Sequence, residues 1–117
     1  MRKWAHLKQD TLSLEGKPFV RIMLYTCAEG TYVFLYDSED SVFCTTDEWY
    51  GTEEEALDRW EDEIDLNGWY VIDDPLPGCQ QDSMLPIRVK GRDKGTPRWG
   101  EYEILKDGKW VEFPDNQ

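Results

Sequence analysis

The chain has 117 residues, of which 39% are apolar and 14% aromatic, and a formal charge of −12 at pH 7. That length suits a single domain spanning 1–117, with a core buried without help from disulfides or metals. The acidic balance disfavours nucleic acid and anionic membranes as partners, and no apolar run nears the roughly 18 residues of a membrane span.

The first residues, Met1-Arg2-Lys3-Trp4-Ala5-His6, are basic with no apolar stretch behind them, so no secretion signal is expected. Cys27, Cys44 and Cys79 are odd in number and far apart. They are expected as buried or half-buried thiols in a reducing, cytoplasmic setting. Residues 19–26 and 32–36 are dense in β-branched and aromatic side chains. With Ala28-Glu29-Gly30 between them they predict a hairpin of central strands. A turn at Ser38-Glu39-Asp40 leads to a short third strand near 41–46, and the pattern also allows an additional strand around 11–15.

Between Asp47 and Asp65 stand ten acids and one base, Arg59, a net −9 in one stretch. Thr52 followed by Glu55 reads as a capping box, and Asn67-Gly68 as the helix end. Ala56, Leu57, Trp60 and Ile64 fall on one narrow stripe. Glu54, Asp58, Glu61, Asp62 and Asp65 fall on the other side, so the helix is expected to dock through the stripe and show water an acidic face.

A strand over 69–72 ends at Asp73-Asp74-Pro75-Leu76-Pro77-Gly78, where prolines and glycine exclude regular structure. The irregular stretch runs to about residue 85, and 86–90 resumes as a strand. Residues 91–98 form a basic, glycine-containing loop, and the strip Arg88, Lys90, Arg92, Lys94 and Arg98 is expected to balance the acidic helix. Asp107-Gly108 predicts a type I′ hairpin turn. In that register Lys106 faces Lys109, Leu105 faces Trp110, Ile104 faces Val111, and Tyr102 faces Phe113. Tyr102, Ile104, Val111 and Phe113 should then meet the core, while Leu105 and Trp110 share the other face. The expected fold is α+β: a mainly antiparallel sheet of six or seven strands on one main helix, in the order β-β-β-α-β-β-β.

Chemistry has few footholds. Glu63, Asp65, Asn67 and Asp74 approximate a calcium-loop spacing, but the first ligand is Glu, the last is Asp, and Pro75 forbids an exit helix. Zinc lacks paired ligands, with one histidine and three scattered cysteines. No metal or cofactor is therefore expected. His6 would have to meet a cysteine in space to make a nucleophilic pair. No phosphate-loop spacing occurs.

What remains is protein recognition. Trp49 and Tyr50 precede the acidic helix, and aromatic anchors ringed by charge are what protein-binding surfaces use. The expected site is Trp49, Tyr50, Glu54, Asp58, Glu61, Asp62 and Asp65, facing a basic protein surface. The alternative is a small-molecule pocket or minor enzyme at the proline loop, using Asp73, Asp74, Cys79, Gln80, Gln81 and Asp82. Immunity proteins, antitoxins and nucleic-acid mimics share this size and charge, with no motif in common.

Overall fold

The two apolar runs pair as their composition demands. In the computed structural model, which describes residues 1–8 and 18–114, β2 (Arg21–Cys27) and β3 (Gly30–Tyr36) form an antiparallel hairpin closed at Cys27 and Gly30. The chain divides into two compact units, Met1–Asp74 and Pro75–Gln117, each described by itself.

The first unit is a five-stranded antiparallel sheet with a helix on one face. Its strands are β1 (Arg2–His6), β2, β3, β4 (Thr46–Tyr50) and β5 (Tyr70–Ile72), in spatial order β4-β3-β2-β1-β5. β1 therefore lies inside the sheet, between β2 and β5. The expected third strand over 41–46 begins only at Thr46. Before it, residues 37–45 form turns held by Asp37 N–H donating to Thr45 Oγ1 at 3.0 Å and Thr45 N–H to the Leu35 carbonyl at 2.7 Å. The strand suggested at 11–15 lies outside the described residues.

Alternation sorts the side chains of this sheet onto two faces. Ala5, Ile22, Leu24, Val33 and Leu35 pack with Ala56, Trp60 and Ile64 under helix α1 (Glu53–Trp60). Met23, Phe34 and Tyr36 form a second cluster on the other face, with Trp4, Tyr25, Tyr32, Cys44 and Ile72 against it. Arg2 and Arg21 are buried on that second face. The Arg21 guanidinium lies over the Tyr36 ring at 4.3 Å and donates to the Ser41 carbonyl at 2.7 Å.

α1 is shorter than its capping signals imply. It stops at Trp60, and Glu61–Glu63 tightens into a 3₁₀ turn. Ile64 then turns extended and bridges Leu7, while Lys8 N–H donates to the Glu63 carbonyl at 2.9 Å and Asp65 N–H to the His6 carbonyl at 3.0 Å. Three consecutive acids at the negative end of the helix dipole oppose continuation, and the chain beyond β1 offers the backbone other partners.

The second unit is a three-stranded antiparallel sheet, β6 (Ile87–Val89), β7 (Tyr102–Lys106) and β8 (Lys109–Phe113), in that order. The β7–β8 register is the expected one, with Asp107 at φ 51° and Gly108 at φ 77°. Ile87, Val89 and Ile104 are buried together on one face. Val111 was expected in that core but is exposed; it sits on edge strand β8, beyond the buried residues of β6 and β7. Leu105 and Trp110 are half-buried, and the Arg88 guanidinium covers the Trp110 ring at 3.8 Å while its Nε donates to Glu103 at 2.6 Å.

The class is thus α+β, as expected. The single sheet of six or seven strands is replaced, among the described residues, by eight strands in two antiparallel sheets, ordered β-β-β-β-α-β-β-β-β. Against the expected order, one strand is added on each side of the helix; the one before it is β1, which the basic N-terminal composition conceals.

Candidate protein-binding surface

Thr52 begins the acidic segment's helix: its backbone is extended and its Oγ1 accepts the Glu55 N–H at 3.2 Å. The helix docks through Ala56 and Trp60, both buried, with Leu57 half-buried beside them. Two acids are consumed by this docking. Glu48 Oε1 accepts the Trp60 indole N–H and the Tyr50 hydroxyl, each at 2.8 Å. Glu53 pairs with Lys3 at 3.0 Å, and the same ammonium sits 4.9 Å from the centre of the Trp69 ring. Burial, then the bond to Glu48, pushes the Tyr50 hydroxyl above the usual tyrosine range.

Six of the remaining acids divide cleanly. Asp65 is half-buried and closes a local turn, its carboxylate accepting the Asn67 backbone N–H at 2.9 Å and the Asn67 side-chain amide at 3.3 Å. Glu61 is exposed and accepts the Trp69 indole N–H at 3.0 Å. Glu54, Glu55, Asp58 and Asp62 are exposed and form no ion pair with any described residue. Arg59, the one base of the stretch, lays its guanidinium over the Trp60 ring at 4.0 Å.

Trp49 and Tyr50, expected as one aromatic pair, point to opposite faces of β4. Tyr50 packs beside the core under α1. Trp49 stands across from Tyr32 on the face away from α1 and remains 56% exposed. The structure therefore gathers Tyr50 with the helix and separates Trp49 from it. Strand alternation alone, applied to two adjacent residues, carries that signal. The residues sequence reasoning missed lie around Trp49: Tyr32, whose hydroxyl donates to Glu29 at 3.1 Å, and Gly30 beneath the indole.

No family model matches the sequence, and neither a curated protein nor a solved structure matches it.

The residues of the alternative site fall in both units. In the first, the Asp73 carbonyl accepts the Arg2 Nε–H at 2.8 Å, and Asp74 pairs with the Met1 ammonium at 2.9 Å. In the second, Cys79 is buried, Gln80 N–H donates to the Ile87 carbonyl at 2.7 Å, Asp82 is half-buried and Gln81 is exposed. No disulfide joins the three cysteines; Cys27 and Cys44 are half-buried. His6 Nε2 shares a hydrogen bond with Glu39 at 3.1 Å. Among the described residues, no group of three or more His, Cys, Asp or Glu is placed to hold a metal ion, and no helix is long and apolar enough to cross a membrane.

Within the second unit, Arg88 of the basic strip pairs with Asp93 and Glu103, and Lys90 with Glu112.

Proposed function

We propose that this chain is a non-enzymatic, cytoplasmic binding protein that recognises a basic protein partner through α1 and the 3₁₀ turn after it, inhibiting or neutralising that partner. One observation supports the reading above others. Of the ten acids from Asp47 to Asp65, the fold uses Glu48, Glu53 and Asp65 internally, yet leaves Glu54, Glu55, Asp58, Glu61 and Asp62 exposed on consecutive turns with a single base among them. Like charges this close repel one another, and a complementary cationic surface relieves that repulsion while steering association.

The test is affinity capture of a partner at low and high salt, using the native chain and a variant with Glu54, Glu55, Asp58, Glu61 and Asp62 converted to their amides. A basic partner held at low salt, released at high salt and not captured by the amide variant supports the reading. A partner held equally by both chains at both salt concentrations refutes it.

A further inference from the structure

The sheet face away from α1 carries a second feature that the acidic helix does not explain. Along one row, Tyr25 on β2, Tyr32 on β3 and Trp49 on β4 are cross-strand neighbours. The rings of Tyr25 and Tyr32 stack at 6.4 Å, and Tyr32 lies parallel to Phe34 at 6.2 Å. Trp49 ends the row at the sheet edge and is its most exposed member, at 56%.

The indole is held in place. Gly30 has φ +130°, and a Cβ on it would stand 2.7 Å from Trp49 Nε1 and 2.8 Å from Cε2. The ring therefore rests on the bare α-carbon of the β2–β3 turn, as aromatic residues do over sheet-edge glycines. A tryptophan fixed this way loses little conformational freedom on binding.

The exposed charge at the Trp49 end of the row has one sign. Glu29 is held at the Tyr32 hydroxyl, and Asp47, exposed, lies two residues before Trp49 on the same face. The two arginines of this face, Arg2 and Arg21, are buried at 5% and 7% exposure. An electron-rich ring, pinned and flanked by carboxylates, is complementary to a cation, and best to a planar guanidinium that stacks as well as attracts.

We infer that the Tyr32–Trp49 end of the sheet is an arginine-accepting site, in which an arginine of a basic partner segment lies over the Trp49 indole between Glu29 and Asp47. The inference rests on the reading of the partner as basic, and adds the side chain it must present and the residue that receives it.

Two short peptides of equal charge, one arginine-rich and one lysine-rich, serve as probes. They are titrated into the native chain, into Trp49→Ala, and into the five-acid amide variant. Binding is followed by peptide fluorescence anisotropy and by the indole N–H resonance of Trp49. The expected result is preference of the native chain for the arginine peptide, movement of the Trp49 resonance, and about five- to tenfold weaker arginine-peptide binding by Trp49→Ala with the preference lost. Trp49→Phe, which keeps a ring, should fall between. Bulk charge attraction does not distinguish the peptides. Equal binding of both peptides by the native chain and by Trp49→Ala, or a stationary Trp49 resonance, overturns the inference. If the amide variant alone loses binding, the acidic-helix reading stands and the Trp49 site falls. If Trp49→Ala alone loses the arginine preference, the Trp49 site stands and the helix reading falls.

Discussion

Trp60 is where the first unit should be most sensitive. It is 3% exposed in the centre of the cluster under α1, and its indole N–H holds Glu48 at 2.8 Å. Burying a large aromatic removes about 150–250 Å² from water, worth about 4–6 kcal/mol at about 25 cal/mol per Å². Measured truncations of buried Phe or Trp cost about 3–5 kcal/mol. Trp60→Ala also strips Glu48 of one donor, leaving it the Tyr50 hydroxyl, for about 1 kcal/mol more. A loss of about 4–6 kcal/mol is therefore expected, large beside the roughly 5–15 kcal/mol that holds a domain together. Trp60→Phe keeps most of the packing and loses the indole N–H, so it should cost about 1–2 kcal/mol. Glu61→Gln, on the exposed neighbour, should change stability by no more than about 0.5 kcal/mol. Urea unfolding followed by far-UV circular dichroism separates the three variants without interference from the other tryptophans. A Trp60→Ala change below about 1 kcal/mol at unchanged m would show that α1 is not held to the sheet through this side chain.

Gly30→Ala should destabilise the chain by about 1–3 kcal/mol, because its Cβ would meet both Trp49 Nε1 and the Tyr50 carbonyl at 2.7 Å. Thermal melts should show that adding Trp49→Ala recovers part of the loss and no more, since the carbonyl remains. The raised Tyr50 hydroxyl sets an alkaline dependence: its neutral form is favoured in the fold, so that contribution is full below the unfolded tyrosine value near about 10 and is lost as pH rises through the higher folded value. Melting temperatures from about pH 9 to about pH 11 should fall less steeply for Tyr50→Phe than for the native chain, and parallel slopes would exclude Tyr50 as a source.

What could be read from the residues follows a physical division. The β7–β8 register rests on Asp107 and Gly108, which alone satisfy two positive φ angles in a two-residue turn, so it was legible to the residue. The helix start was equally local, resting on the Thr52 hydroxyl. The helix end was not: Asn67-Gly68 is a sound cap, but Ile64 found a bridge to Leu7, a partner that spacing along the sequence does not reveal. β1 was hidden for the same reason. Arg2-Lys3-Trp4-Ala5-His6 has little strand propensity and becomes a strand because β2 and β5 supply ladders on both sides. In the candidate surface, the charge of α1 was plain in composition. The separation of Trp49 from Tyr50 needed the strand to run on to Tyr50, past the end expected at 46, and the seat at Gly30 needed the β3–β4 register.

The place of β1 also bears on how the first unit is made on the ribosome. β1 leaves the exit tunnel before every strand it pairs with, and can join β2 early. Its other flank stays open until β5, the last strand of the unit, emerges. For that interval a nascent sheet shows an unfilled ladder along an inner strand, the kind of edge on which chains associate wrongly. The strand that closes the gap is only Tyr70–Ile72, so substitutions there should lower the yield of folded chain more than their small share of the finished core suggests.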